Sequence, residues 1–262
     1  MCLLVIAWRA HPRYQLIVAA NRDEFHERPA APMAKWPAPG DILAGRDLRA
    51  NGTWLGVDRQ RRFGVVTNFR DMQRPRPEAP SRGTLIPRYL ESQQDAGSYL
   101  QALEPSAGTY SGFNLLLADH ESLWYGCNRS DVFARPLAPG LYGLSNQFLD
   151  TPWPKLRTVR QRFEGWLQTQ SDPATGAEAL FAILNDRRTV GSVTELPQTG
   201  LSEEWERILS SPFVLNPDYG TRCSTVLLLE PSGQLFVAER RFDPRGVYIG
   251  QNQWELNGGE WP

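Results

Sequence analysis

The chain has 262 residues, 41% of them hydrophobic and 22% charged, with a formal net charge of -1. This balance suits a soluble globular chain and argues against disorder, a collagen or coiled-coil repeat, or a nucleic-acid binder with its usual basic excess. Three cysteines without tight spacing imply no disulfide framework but a reducing compartment, most simply the cytoplasm.

In chain order, the first apolar run, Cys2 to Trp8, is far too short to span a bilayer and lacks the flanks of a secretory signal. No stable membrane insertion is therefore expected. Residues 3–7 and 14–20 read as two buried strands joined by a turn at Ala10-His11-Pro12-Arg13. Such a hairpin makes Cys2 a neighbour of Asn21-Arg22-Asp23-Glu24. Residues 29–52, rich in Pro, Ala and Gly, read as a long surface loop able to wall a pocket. A second hairpin pairs residues 53–58 with 63–68. Residues 70–83 read as a polar loop, and residues 85–103 carry a helical pattern broken early by Pro87.

Further strands are predicted at 114–118, 123–127 and around 141–145. Leu156, Val159, Phe163 and Trp166 recur at helical spacing behind Pro154. Asp172-Pro173 caps a second helix near 177–184. A last hairpin pairs residues 225–230 with 235–239. Strands at both ends with helices between predict an α+β fold of two stacked sheets with helices outside, in one domain spanning 1–262.

Cys2 is the first candidate for chemistry. Removal of Met1 would put a thiol and an α-amine on one residue, and an amine with a reference pKa of about 8 accepts a proton near neutral pH. The alternative is a small apolar strand residue. Arg22 is placed to lower the thiol pKa and hold a carboxyl group, and Asp23 to orient the ammonium group; the alternative is a surface salt bridge. Adjacent strand residues point to opposite faces, so only one of the two is expected to face Cys2, with Asn21 or Glu24 open for the other role.

Asn68 and Asn146 end apolar strands, where an amide can stabilise an oxyanion or simply form a turn. Arg222, before the last hairpin, reads as an anion anchor or a surface arginine. Trp36, Trp54, Trp124 and Trp153 read as pocket lining or, more simply, core. His11, His26 and His120 show no metal-ligand spacing, so neither metal nor cofactor is expected.

Met1-Cys2-Leu3-Leu4, Asn21-Arg22-Asp23-Glu24 and Arg28-Pro29 together resemble the opening of the NRDE family, the transport and Golgi organisation protein 2-like proteins. The resemblance continues through Gly45-Arg46-Asp47, Gly52-Thr53-Trp54, Thr67-Asn68-Phe69-Arg70, Ser145-Asn146 with Pro152-Trp153-Pro154-Lys155, and Tyr219-Gly220-Thr221-Arg222. That family is similar to the cysteine N-terminal-nucleophile (Ntn) hydrolases. The resemblance implies a four-layer αββα sandwich with Cys2 as nucleophile, Asn68 and Asn146 serving the amine and oxyanion, and Arg222 as an active-site arginine. The implied function is hydrolysis or acyl transfer at a linear amide or thioester. The alternative is a non-catalytic protein that binds haem, a lipid or an acyl-CoA.

Overall fold

The computed structural model describes residues 2–37 (Cys2 by its backbone), 41–70, 78–169 and 172–262. Chain contacts divide into two compact units, one formed by Met1–Glu27 with Pro139–Gly258, the other by Arg28–Ala138 with Gly259–Pro262.

The first unit is built on the predicted opening hairpin. Strands β1 (Cys2–Trp8) and β2 (Leu16–Phe25) pair antiparallel. Residues 3–8 and 14–23 are buried without the alternation of a one-sided sheet. Strand β10 (Gly140–Leu144) joins β1, while β11 (Tyr219–Leu229), β12 (Leu235–Phe242) and β13 (Tyr248–Leu256) extend the sheet beyond β2. The order is β10-β1-β2-β11-β12-β13, with every pairing antiparallel.

Helices α3 (Pro154–Leu167) and α4 (Pro173–Leu184) cover one face. Pro154 occupies the first turn of α3, where a missing N–H costs no helical bond. Asp172 caps α4 by accepting from the Thr175 N–H. Leu156, Val159, Phe163 and Trp166 pack with Leu3, Val5, Ile17, Ala19, Val226 and Leu228. Each such aliphatic or aromatic side chain contributes about 1.5–3 kcal/mol when fully buried. A short helix, α5 (Glu203–Ile208), capped by Ser202, was not legible in the sequence.

The second unit holds a seven-stranded antiparallel sheet in simple chain order: β3 (Ala30–Lys35), β4 (Ile42–Asp47), β5 (Leu55–Asp58), β6 (Phe63–Asn68), β7 (Phe113–Ala118), β8 (Leu123–Cys127) and β9 (Ala134–Leu137). Helices α1 (Leu85–Glu91) and α2 (Ala96–Ala107) pack on it through Leu85, Ile86, Tyr89, Leu100 and Leu103.

Several expectations are corrected. Residues 29–52 contain the β3–β4 hairpin rather than one long loop. Pro32 is tolerated because β3 is an edge strand whose register shifts between Ala31 and Ala34. The helical pattern breaks not at Pro87, which sits in the first turn of α1, but before Asp95, the cap of α2. The last hairpin is longer than expected and gains a third strand, β13. Of the predicted polar loop at 70–83, residues 71–77 lie outside the described residues.

Candidate functional site

Backbone register brings the candidate residues of the first unit together. Cys2 and Arg22 are direct cross-strand partners of β1 and β2. On its other side Arg22 is paired with Cys223 of β11, while Asn21 is opposite Ser224 and Asp23 opposite Thr221. The register slips between Thr221 and Cys223, so Arg222 is the extra residue of a β-bulge. It therefore lies inside β11, not before the last hairpin as expected.

Hydrogen bonds fix which way these side chains point. Asn21 Nδ2 donates to the carbonyl oxygens of Leu184 and Pro212, both at 2.9 Å, and its Oδ1 accepts from the Ser224 hydroxyl at 2.6 Å. Leu184 ends α4, so Asn21 and Ser224 face the helices. Alternation then turns Arg22 and Cys223 to the opposite face. Arg22 is 5% exposed.

Asp23, like Asn21, belongs to the helix side. Its Oδ1 accepts from the Thr221 hydroxyl at 2.7 Å, and that hydroxyl accepts from the Val214 N–H at 2.9 Å. Tyr219 Oη donates to the Asp23 carbonyl at 2.9 Å. Burial pushes the Asp23 carboxyl above the usual carboxylate range; the positive charge of Lys155, the Thr221 hydrogen bond and Arg22 oppose that rise. Arg22 and Asp23 thus occupy opposite faces, and Arg22 is the one in register with Cys2.

Lys155, in the first turn of α3, is buried. A cleft of 680 Å³ opens beside it, with Arg157, Asp186, Arg188, Ser210 and Pro212 among its walls. Sequence reading gave Lys155 no role. A lysine next to a helix-starting proline is normally solvated, and nothing local marks its partner as a distant aspartate.

Arg222 Nη1 donates to the carbonyl oxygens of Phe25 and His26 at 2.9 and 3.1 Å. Burial, followed by the nearby positive charge of Arg22, lowers the Arg222 pKa. The charges of Cys223 and Glu24 nearby act in the opposite direction. Asn146 is fully buried. Leu144 is opposite Leu4, and Ser145 and Asn146 continue past it in the direction of Cys2. The Ser145 hydroxyl donates to Asn146 Oδ1 at 3.3 Å.

Asn68 belongs to the second unit, exposed at the end of β6 opposite Phe113. The four tryptophans considered as pocket lining are engaged in packing. Trp153 lies in the core of the first unit. Trp36 and Trp124 pack against that of the second, with Trp36 Nε1 donating to the Ala44 carbonyl, and the Trp54 ring lies against Gly45. Among the described residues no group of three or more His, Cys, Asp or Glu is arranged to hold a metal. No helix among them is long and apolar enough to cross a membrane.

The chain is similar to known proteins over nearly its whole length. The family model for Transport and Golgi organisation 2 matches residues 1–244. A Transport and Golgi organization protein 2 homolog of Bos taurus is 34% identical over 92% of each chain. The Mus musculus homolog is 32% identical over 98% of this chain and 97% of the relative. The Drosophila melanogaster protein is 26% identical over 95% of each. Among solved structures, the Caenorhabditis elegans ortholog of N-acylethanolamine-hydrolyzing acid amidase superposes with a TM-score of 0.50. It is 13% identical, over 88% of this chain and 93% of that one. That likeness shows the fold, the Ntn-hydrolase-like α+β class of antiparallel sheets with helices. On the family match and the shared length, this chain belongs to the Transport and Golgi organisation 2 family.

Proposed function

We propose that the chain is an N-terminal cysteine hydrolase or acyltransferase of linear amides or thioesters, working as one domain after Met1 is removed. One observation carries this reading: Arg22, a buried cation, is the cross-strand partner of Cys2. An arginine there favours the thiolate over the thiol.

In this mechanism the α-amine of Cys2 takes the thiol proton as sulfur attacks the acyl carbon. The resulting oxyanion is stabilised by the amide N–H group of Asn146. The carbon–nitrogen or carbon–sulfur bond breaks as the ammonium returns its proton to the leaving group, which leaves a thioester on Cys2. Water or an acceptor amine then attacks that thioester, giving up its proton to the α-amine and releasing the acyl product. Asp23, with Thr221 and Lys155 behind β2, positions the strand end that presents Arg22. Arg222 binds an anionic part of the substrate. Buried free thiols at Cys127 and Cys223 fit a reducing compartment such as the cytoplasm.

The test is turnover of a panel of N-acyl amides and acyl thioesters by the wild-type chain and by Cys2→Ala. Loss of turnover in Cys2→Ala with substrate binding retained supports the reading. Equal turnover by both chains contradicts it.

A second reading is a binding protein for haem, a lipid or an acyl-CoA. It draws on a groove of 460 Å³ in the first unit, where Phe181, Ala182, Phe242 and Tyr248 lie beside Arg240. Arg240 is already engaged by Glu178, Gln251 and the Phe181 ring, which makes it a poor anchor for a further anion. Saturable acyl-CoA binding that Cys2→Ala leaves unchanged and Phe242→Asp abolishes is what this reading predicts.

A further inference from the structure

The pairing that joins Cys2 to Arg22 continues across the sheet. Arg22 is opposite Cys223, Cys223 is opposite Arg241 of β12, and Arg241 is opposite Gly250 of the edge strand β13. Directly paired residues project from the same face. For β12 that face is settled independently. Arg240 stacks on Phe181 of α4 and pairs with Glu178, so it points to the helices and Arg241 points away from them. Arg22, Cys223 and Arg241 therefore form a row on one face, with Arg222 beside Arg22. With strands about 4.8 Å apart, the backbone of Arg241 is about 14 Å from that of Cys2.

Arg241 is the member of the row with nothing to hold. It is half-buried, its Nε is shielded from solvent without a hydrogen-bond partner, and among the described residues no ion pair or hydrogen bond engages its guanidinium. A half-buried guanidinium normally finds a carboxylate or carbonyl, because a lost hydrogen bond to a charged group is costly. The acidic residues of this face on β2 and β12 are Glu24 and Glu239. Glu24 accepts from the Phe25 N–H, and Glu239, two residues from Arg241, is buried. The backbone opposite has been cleared for the side chain. Gly250 has φ +154°, a conformation that L side chains rarely adopt, and a Cβ there would stand 2.6 Å from Arg241 Nη2.

We infer that Arg241 is a substrate-binding residue that receives a carboxylate or phosphate group of an acyl compound whose reacting carbonyl lies at Cys2. This inference rests on the proposed cysteine chemistry and narrows its substrates to acyl amides or thioesters that carry a negative charge remote from the scissile bond. The guanidinium supplies a planar fork of N–H donors to the anion, and Arg22 and Arg222 make the approach to it positive.

The test separates binding from turnover. In the full-length Cys2→Ala chain, calorimetry compares N-octanoyl-glutamate with its uncharged bis-amide, and N-octanoyl-phosphoethanolamine with N-octanoylethanolamine. The inference predicts that at least one anionic probe binds about tenfold more tightly than its neutral match. Arg241→Gln is expected to remove that preference while neutral binding stays, and Arg241→Lys to keep part of it. Gly250→Ala, which retains the charge but displaces the guanidinium, is expected to weaken only the anionic probe. The carboxylate and phosphate arms identify the group. No preference in the parent chain, or a preference undiminished in Arg241→Gln, overturns the inference. Failure of the wild-type chain to cleave any amide, with the Arg241-dependent preference intact, counts against the proposed chemistry and not against this site.

Discussion

The Ser224 hydroxyl donates to Asn21 Oδ1 at 2.6 Å across the pairing of β2 and β11, while Asn21 Nδ2 reaches the carbonyl oxygens of Leu184 and Pro212. These bonds hold Asn21 on the helix side of the sheet, and strand alternation then commits Arg22 to the other. A residue that could pass for part of the reactive cluster is thus a bracket joining the sheet, the end of α4 and the 210–214 segment.

Asn21→Ala leaves two carbonyls and a hydroxyl buried without this partner. A loss of about 2–4 kcal/mol is expected, measured by urea unfolding. Asn21→Asp is expected to be worse, because a carboxylate would face two carbonyl oxygens.

Asp23 couples stability to pH. Its folded pKa is raised above the unfolded value by burial. The folded state therefore holds its proton more tightly, and this contribution to stability is greatest below the unfolded pKa of about 4. It is lost as pH rises through the folded pKa. Asp23→Asn is expected to flatten the fall in stability over that window, and chemical unfolding of both chains at a series of pH values measures it. An unchanged slope contradicts the assignment.

In the second unit the buried pair Arg62–Asp58 meets at 2.7 Å, and Arg62 Nη2 also donates to the Leu90 carbonyl. Removing Arg62 strands a buried carboxylate whose pKa burial already raises. Arg62→Ala is expected to cost about 3–5 kcal/mol. Arg188→Ala breaks a pair at a similar distance, 2.6 Å, but Arg188 is 71% exposed and solvent screens it, so a far smaller loss is expected. Denaturant midpoints of the two variants test the contrast.

Gly52 explains one of the motifs that sequence reading could only match. A Cβ there would stand 2.4 Å from the Gly83 carbonyl carbon and oxygen, next to the hydrogen bond from the Thr53 N–H to the same oxygen. Backbone cannot yield as a side-chain tip can. Gly52→Ala is expected to destabilise by about 1–3 kcal/mol, read by thermal unfolding.

The opening hairpin was legible because its two strands are continuous apolar runs flanking a proline turn, and that alone brought Cys2 next to the Asn21–Glu24 block. The strands β3 and β13 were hidden for a physical reason. Both are edge strands, one bulged around Pro32, the other half-exposed and polar in Gln251-Asn252-Gln253, so neither needs an apolar pattern. Arg222 read as lying before the last hairpin because a bulge inserts one residue without changing composition. Lys155 and Arg241 were invisible as site neighbours. Nothing local marks their proximity to Asp23 or Arg22, which pairing and packing between distant segments create.

The most direct measurement is intact-protein mass spectrometry of the purified chain, before and after brief exposure to iodoacetamide and to an acyl-amide panel. The proposed chemistry predicts loss of Met1, alkylation confined to Cys2 while the buried Cys127 and Cys223 stay unmodified, and an acyl adduct that alkylation prevents. Retained Met1, or a Cys2 no more reactive than the buried thiols, would contradict it.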